Sequence, residues 1–502
     1  MQALSSHIPH LRPHRYGGMR MLYAPALLGP ILLLMGLLAA CERPENFSTS
    51  GEVDASRDSV RFDTLFTTQQ SPTQRLLLYN RSGGALRISA IYVGGGQQSP
   101  FRLILNGVEA QRHEQIELGR GDSLYCFFRT RITTREQDED VTDVLRIETD
   151  GRVEEVVLYA HVLDAYLISD SVLACNSTLP TDKPIVVDGY MRVAEGCELT
   201  IPAGARLFFT ARQDENFNFT SQIQVLGKLS IQGTPQSRVQ MSNFRLGRTF
   251  DVDWQETAGL WGGIHFTRLS QGSVVQNLLL KNASIGIRVD SIPNSNSEPK
   301  VRLRNVELRN FSNFAILGLG ASSSSSSQPS ILAENVLAYN AGQSVVGLFF
   351  GGLYAFNNCT LADYDQVSSG NQPAVALSNF LSGQDGSGQA VNTSFPTEVV
   401  FSNTVIWGSK TNEFGVDFRN FGGPLPVLSF EYCLLKADVF EAGSGTNQFN
   451  QDPLFQAPRN RLFAPLAGSP LINAGSPLTA TTTDLLDQAA RGIRDIGAIE
   501  GP

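Results

Sequence analysis

Two stretches, Leu303-Arg-Asn305-Val-Glu-Leu308 and Ala333-Glu-Asn335-Val-Leu-Ala338, carry the pattern that decides the fold. In each, an Asn stands two residues after one apolar residue and three before another. The pattern returns in Val275-Gln-Asn277-Leu-Leu-Leu280, Phe356-Asn-Asn358-Cys-Thr-Leu361, Phe401-Ser-Asn403-Thr-Val-Ile406 and, with Tyr432 in the Asn position, Phe430-Glu-Tyr432-Cys-Leu-Leu435. The key positions lie 28, 30, 23, 45 and 29 residues apart. One strand pattern per period of about 20–30 residues is typical of a solenoid.

The repeat predicts stacked coils of β-strand that share one apolar core, because a single coil cannot bury its apolar face alone. Coils about 4.8 Å apart place equivalent side chains above one another, and Asn tolerates the left-handed backbone of a sharp corner. We therefore predict one structural ladder of amides, formed by Asn277, Asn305, Asn335, Asn358 and Asn403. Cys359 and Cys433 share a column two coils apart, which is too far for a disulfide.

Residues 58–165 are predicted to form a separate β-sandwich. Short runs that alternate apolar and polar residues, such as Leu86–Val93, are divided by Gly-rich turns such as 94–96, and strands at this spacing indicate a sandwich. The turn at 80–84 and the strand that ends at Tyr92 resemble the Ig-like modules of the abnormal-spindle type in secreted bacterial proteins.

Residues 1–40 have the features of a signal peptide. A basic stretch that ends at Arg20 precedes an apolar run at 26–40, which is too short to span a bilayer. The run closes as Leu-Ala-Ala-Cys41, which resembles the lipobox of bacterial lipoproteins and implies that Cys41 is lipidated. An ordinary cleaved signal with an incidental Cys is the alternative. Residues 41–57 are polar and contain Pro, as a flexible tether would.

Motifs at both ends of the repeat resemble one family. Leu199-Thr-Ile-Pro-Ala-Gly-Ala-Arg-Leu207 and Trp261-Gly-Gly-Ile-His-Phe266 are similar to the opening coils of right-handed parallel β-helix lipoproteins of Bacteroidetes, and Gly468-Ser-Pro-Leu-Ile-Asn-Ala-Gly475 is similar to their closing segment. The resemblance implies a right-handed parallel β-helix over residues 170–460 and a closing segment over 461–502. It also implies a lipid-anchored protein of the outer membrane or cell surface. The family is largely uncharacterised, so no activity follows.

Among the remaining cysteines, Cys175 and Cys197 are the pair close enough in sequence to suggest a disulfide. Export would permit this bond, and two separate buried thiols are the open alternative. No pair of cysteines has the spacing of zinc ligands.

Acidic side chains are the candidates for a binding site. The loop that contains Asp251, Asp253, Trp254 and Glu256 could hold Ca²⁺ or stack a sugar ring. A solvated loop with its aromatic ring packed on the coils explains the same residues. Asp363 and Asp365 follow a repeat strand and should share one face, again either as a site or as solvated side chains.

The composition argues against nucleic acid as a partner, because 39 basic residues stand against 48 acidic ones and phosphate binding needs clustered Lys and Arg. No Gly-x-Ser-x-Gly, Walker or His-Glu-x-x-His motif is present. We therefore predict a lipid-anchored envelope scaffold without evident catalysis, which binds glycans or envelope proteins through loops such as 383–395. The alternative is a polysaccharide lyase or glycoside hydrolase, which requires groups such as Asp253, Asp363 and Arg288 to converge in one groove.

Overall fold

The structure, a computed structural model, describes residues 46–502 except 68–70, 131, 133–137, 250–251, 295–296, 323–325, 368–369, 385, 387–388 and 438–444. The predicted signal peptide and Cys41 therefore lie outside the described residues. In the described part, no helix is both long and apolar enough to cross a membrane. The chain forms a small β-sandwich followed by a long parallel β-helix.

The sandwich consists of two five-stranded sheets around one apolar core. In spatial order, the first sheet contains β1 (Val53–Ala55), β3 (Gln74–Asn80), β8 (Ser123–Thr130), β5 (Phe101–Leu105) and β6 (Val108–Glu109). The second contains β2 (Ser59–Phe66), β10 (Arg152–Leu163), β9 (Glu139–Thr149), β4 (Leu86–Val93) and β7 (Arg112–Leu118). Strand β1 lies within the segment expected to be a flexible tether. This strand is instead part of the sandwich, since Val53 is buried in this core and β1 pairs with β3.

The second domain is a 24-stranded sheet in which each coil pairs in parallel with the next. It is the predicted right-handed parallel β-helix, with the crossover hand that parallel strands favour. Its core extends without a break from Leu179 to Ala437. The strands lie on three faces, which we name A, B and C in the order in which a full coil, such as that at residues 273–290, crosses them, with face B following face A and face C following face B.

Face A contains β12 (Ser177–Thr178), β14 (Glu198–Pro202), β17 (Lys228–Gln232), the first halves of β22 (Ser273–Lys281), β24 (Val301–Phe311) and β26 (Ile331–Ala341), β28 (Gly352–Asn357), β33 (Thr397–Ser402) and β36 (Val427–Glu431). Face B contains the first halves of β11 (Tyr166–Val172) and β13 (Ile185–Val193), β15 (Arg206–Phe209), β18 (Val239–Asn243), the second halves of β22, β24 and β26, β29 (Thr360–Asp363), β34 (Val405–Gly408), β37 (Leu434–Leu435) and β38 (Gln448–Phe449).

Face C contains the second halves of β11 and β13, β16 (Gln222–Val225), β21 (Ile264–Phe266), β23 (Ile285–Asp290), β25 (Phe314–Leu319), β27 (Ser344–Phe349), β30 (Val375–Ser378) and β35 (Phe414–Asp417). Antiparallel pairs outside the coils are β19 (Arg248–Thr249) with β20 (Val252–Asp253), β31 (Phe380–Gln384) with β32 (Ala390–Ser394), and β39 (Phe455–Ala457) with β40 (Leu462–Pro465). Single 3₁₀ turns occur at Gly96–Gln98, Trp254–Glu256 and Pro458–Asn460.

The predicted Asn column lies at the corner between faces A and B. In order along the axis, strand register aligns Asn277, Asn305, Asn335, Asn358, Asn403 and Tyr432. All six residues have φ between 48° and 54°, and the five Asn side chains are buried. The corner therefore uses the left-handed conformation that Asn tolerates.

The amides of this column bond to one another less than predicted. Asn335 Nδ2 donates to Asn305 Oδ1 at 3.0 Å, but Asn358 Nδ2 donates to the carbonyl of Asp495 at 3.2 Å. Asn403 Oδ1 accepts the N–H of Ser476 at 2.6 Å. The closing segment crosses this corner and takes up the amide groups that were expected to bond along the axis.

A continuous amide ladder runs instead along the corner between faces B and C. There Asn282, Asn310 and Asn340 each donate to the Asn of the preceding coil, at 2.8, 3.3 and 3.4 Å, starting from Asn243. The ladder links four successive coils through buried side chains. It is the stacked-amide arrangement known from cross-β structures.

The closing segment folds back over the outer side of face B. Its Phe455, Phe463, Leu471, Leu485 and Ile496 pack against Tyr339, Val405 and Trp407 of the coils. At the other end of face B, Phe66 of the sandwich packs against Phe208, with ring centroids 4.7 Å apart. Face B is thus covered at both ends, whereas face C carries no such cover in the described part.

The cysteines follow the register of the coils. Cys175 and Cys197 form a disulfide beside the paired strands β12 and β14. Cys359 and Cys433 are buried free thiols with Thr404 between them in the column. Their positions match the predicted separation by two coils.

Candidate functional site

The acidic loop that the sequence singled out is occupied by contacts within the chain. Asp251 lies outside the described residues. Asp253 accepts the N–H of Gln255 at 3.1 Å and pairs with Arg248 at 3.2 Å. The guanidinium of Arg245 lies over the Trp254 ring, 4.4 Å from its centroid. The aromatic ring is therefore packed by the protein itself, as in the second of the two interpretations.

Glu256 also has partners elsewhere in the chain. It pairs with Arg461 of the closing segment and accepts a hydrogen bond from Asn310 Nδ2 at 3.0 Å. Over the described residues, no three His, Cys, Asp or Glu side chains are grouped so that they could hold a metal ion. The loop fastens the closing segment to the corner between faces B and C.

Asp363 and Asp365 converge on Lys410, whose Nζ lies 3.4 Å from Asp363 and 2.5 Å from Asp365. Beside them, Glu413 accepts the N–H groups of Lys410 at 2.7 Å and Ala374 at 2.9 Å. Burial raises the pKa of Glu413 to about 7 and raises that of Asp363 above its ordinary value. Glu413 is 0% and Asp363 2% exposed, so a substrate cannot reach either carboxyl. The cluster secures the corners between coils.

The convergence of Asp363 with Arg288 that an enzyme would require does not occur. Arg288 lies on β23, and on face C β25 and β27 separate it from β30, which belongs to the coil of Asp363. Three coils of about 4.8 Å separate the two residues by about 14 Å along the axis.

An open groove lies on face C around β21 and β23. In β16, β21 and β23, residues that face the core alternate with residues that face outward. Strand register therefore sets Gln224, His265 and Arg288 side by side on the outer surface. The groove has a volume of about 410 Å³.

The loop at 210–221 forms one wall of this groove. Asp214 accepts the N–H groups of Asn216 and Asn218, both at 2.9 Å, and the turn that results presents Phe217 with φ 61°. Phe217 is 79% exposed, which is unusual for a Phe side chain. The groove is lined by Phe217, Asn218, Gln222, His265, Arg288 and Asn313, among others.

Two glycines let the chain pass close over the floor of the groove. A Cβ on Gly263, where φ is 91°, would lie 1.7 Å from the carbonyl oxygen of Ile285. A Cβ on Gly262 would lie 2.8 Å from the Cβ of Gln222. Only glycine fits at such approaches, so the Gly-Gly pair brings His265 directly beside the next coil.

A hydrogen-bonded cluster lies at one side of the groove. His265 Nε2 is 2.7 Å from Asp290 Oδ2, and Arg288 donates to both carboxylate oxygens, at 2.8 and 3.3 Å. Burial alone would raise the pKa of Asp290, but the hydrogen bonds from His265 and Arg288 outweigh it and lower this pKa. Asp290 is therefore a fixed negative charge that orients both basic side chains.

Lys300 adds a buried cation near this cluster. Its side chain is 0% exposed, and Nζ donates to the carbonyl of Arg268 at 3.0 Å and to Ser291 Oγ at 3.4 Å. Burial lowers the pKa of Lys300 to about 8, against the opposing effect of Asp290. Lys300 thus remains largely charged at neutral pH.

A second, smaller cleft of about 170 Å³ lies among the loops that join face C to face A. It is lined by Leu353, Pro396, Leu425 and Val427. The predicted contact loop at 383–395 forms the hairpin β31–β32 nearby. Among the described residues that line this cleft, only Glu398 has a charged side chain.

The sequence interpretation did not select the groove. His265 appears there only within the motif of an opening coil, and Arg288 only as one requirement of an enzyme. One signal could have found the site. Ile223-Gln-Val225, Ile264-His-Phe266 and Ile287-Arg-Val289 each place one polar residue between two apolar ones, which predicts a polar strip on an outer face.

Comparisons with known proteins yield distant similarities only. No family model matches the chain, and no curated protein matches it. One similar solved structure is the catalytic unit of a thermostable GH87 alpha-1,3-glucanase from Streptomyces thermodiastaticus strain HF3-3, with 10% identity and a TM-score of 0.20 over 75% of this chain and 88% of that chain. Another is a family 123 glycoside hydrolase from Clostridium perfringens, with 4% identity and a TM-score of 0.16 over 22% of this chain. The match covers only 26% of that hydrolase. Similarities this distant say nothing about substrate.

Proposed function

We propose that the protein is an exported, lipid-anchored β-helix that binds a glycan in the groove on face C. The observation that carries the proposal is the pairing of an exposed aromatic ring with planar polar side chains in one open groove. Phe217 stands at its lip, and Gln222, Asn313, His265 and Arg288 line it. Concave sites with a few convergent polar groups are typical ligand sites.

This lining matches the chemistry of a saccharide. A sugar ring presents an apolar face of C–H groups, which can stack on Phe217, and hydroxyl groups, which both donate and accept hydrogen bonds. The amides of Gln222 and Asn313 likewise donate and accept. Because the outward residues of face C repeat about every 4.8 Å along the axis, successive sugar units of an extended chain can meet successive coils.

The anchor and the location are proposed from the leader. Lipidation of Cys41 would hold the protein at the outer membrane or cell surface, with the sandwich as a spacer between lipid and β-helix. The disulfide between Cys175 and Cys197 supports an exported protein, because such bonds persist in oxidising compartments. Cys41→Ser is expected to release the protein from the membrane fraction, which cell fractionation checks. Retention of that variant in the membrane fraction would argue against the anchor.

The alternative, a glycan-cleaving enzyme, has less support. Glycosidases need two carboxyl groups that reach one substrate. Within the described residues, Asp363, Asp365 and Glu413 surround Lys410, and two of them are almost fully buried. Asp170 and Asp188 also converge, but both lie against the guanidinium of Arg212. Asp290, at the groove, is held by His265 and Arg288.

Glycan binding is tested by titrating the full chain with a panel of oligosaccharides. Phe217→Ala is expected to weaken binding of the best ligand by up to about tenfold, because a stacked aromatic contact contributes about 0.5–1.5 kcal/mol. Phe421→Ala is the matched control, since Phe421 is also exposed, at 40%, but lies away from the groove. Equal effects of the two substitutions, or no glycan bound at all, would overturn the proposal.

A further inference from the structure

We infer that the groove on face C selects anionic saccharides, and that it seats a carboxylate or sulfate group against Arg288 and His265. This inference rests on the proposed glycan binding and specifies the ligand class. It depends on the balance of charge around Asp290, on the free donor of Arg288 and on the absence of a competing carboxylate in the lining.

The charge beside the groove is unbalanced in favour of cations. Arg288 and His265 both bond to one carboxylate, Asp290, while Lys300 bonds to a carbonyl and a hydroxyl. Two cations, Arg288 and Lys300, therefore face a single negative charge before His265 is counted. A partly buried excess of positive charge attracts an anion more strongly than an exposed one, because the surroundings screen it less.

Arg288 still has a donor to offer. Its Nε and one terminal nitrogen are bonded to Asp290, and its other terminal nitrogen bonds to none of the described residues. The side chain is 39% and that of His265 25% exposed, so a ligand in the groove can reach both. Since Asp290 already orients the guanidinium, an anion gains a charge-assisted hydrogen bond at a reduced entropy cost.

No acidic side chain is among the described residues that line the groove. Asp290 is neutralised by the two side chains that it orients. On the wall loop, Asp214 Oδ1 accepts the N–H groups of Asn216 and Asn218, and the exposed Glu215 beside it is likewise outside the lining. Neither Asp is among the residues that line the groove. Lys300 is too buried to touch the ligand, and it acts through its field alone.

The test is calorimetric titration of the full chain with three tetrasaccharides: cellotetraose, tetragalacturonate and a sulfated carrageenan tetrasaccharide. At least one anionic probe is expected to bind about tenfold more tightly than the neutral one, since a hydrogen bond between charged groups is stronger than one between neutral groups. Preference for the uronate or for the sulfate identifies the source of the anion. Added salt should weaken anionic binding.

Arg288→Gln should abolish this preference, and Arg288→Lys should restore part of it, because Lys keeps the charge but loses the forked geometry. Arg302→Gln is the matched control, since Arg302 pairs with Glu334 on face A. Cellotetraose binding as tightly as both anionic probes, or an unchanged preference in Arg288→Gln, overturns the inference and leaves glycan binding intact. If none of the three binds and the wider panel also fails, the proposed function itself falls.

Discussion

The Asn residues at the corner between faces A and B meet two requirements with one side chain. Their backbone adopts φ near 50°, which costs most other residues about 1–2 kcal/mol. Their amides then satisfy groups that cross the corner. Asn335, for example, donates to Asn305 Oδ1 at 3.0 Å and to the carbonyl of Thr483 at 2.8 Å. Ser or Gln would supply only one of these two properties.

The two roles can be separated by substitution at Asn335. Asn335→Gly should destabilise the protein by about 2 kcal/mol through lost buried hydrogen bonds. Asn335→Ala should lower the free energy of unfolding by about 1 kcal/mol more, because Ala is strained in the left-handed backbone conformation. Urea denaturation followed by circular dichroism measures both changes. Asn392→Ala, on the exposed strand β32, is the control and should change little. Equal losses for Ala and Gly would contradict the backbone argument.

At the scale of elements, the corners between faces B and C change chemistry along the axis. The amide ladder ends at Asn340, whose Nδ2 donates to Gln366 Oε1 at 2.5 Å. In the following coils, the corner loops after β29 and β34 are held by carboxylates instead, with Lys410 between Asp363 and Asp365. Stacked amides require corners of the same length in successive coils. The corner loops after β29 and β34 are longer, so the ladder cannot continue through them.

Glu413 makes this corner sensitive to pH. Its folded pKa is about 7, above the ordinary value of 4.5, so the unfolded chain loses the proton first. Stability should therefore fall as the pH rises from about 4.5 to 7, by at most about 1.4 kcal/mol per pH unit, and change no further above 7 through this group. Glu413→Gln should lack that fall when melting is followed across the range. Glu398→Gln, on face A, is the control, and parallel curves for wild type and Glu413→Gln would contradict the assignment.

At the scale of the whole molecule, the sequence predicts the coils well and the contacts between distant segments poorly. The Asn spacing is local, and it repeats in almost every coil from Asn277 to Asn403, so register could be derived from it. The disulfide between Cys175 and Cys197 was one of two open alternatives, because the number of residues between two cysteines does not determine how far apart their side chains lie in the fold. Ig-like character of the sandwich stays a prediction.

The candidate site could not be derived in the same way. Glu256 looked free as a ligand because its partner, Arg461, belongs to a segment whose return over face B has no local signal. The groove was overlooked for the opposite reason. Its wall, the loop with Phe217, follows no repeat, and its depth depends on how closely Gly263 approaches Ile285. Only packing in three dimensions reveals either feature.

The architecture leaves face C open to a ligand in the described part of the chain, whereas face B is covered at both ends. The sandwich and the closing segment both pack on face B, and the lipid tether would precede the sandwich. A glycan that runs along face C would therefore meet the polar strip of Gln224, His265 and Arg288 without displacing any other part of the described chain.

Hydrogen–deuterium exchange of the full chain, with and without the tightest-binding tetrasaccharide, tests this central claim most directly. Bound ligand should slow exchange in peptides that cover residues 210–222, 262–266 and 284–290, because the wall loop and the strands beneath it lose motion. Peptides from the small apolar cleft, at 424–427, should exchange at an unchanged rate. Protection at that cleft, or at the predicted hairpin 380–394, with none around Phe217 and Arg288, would contradict the account.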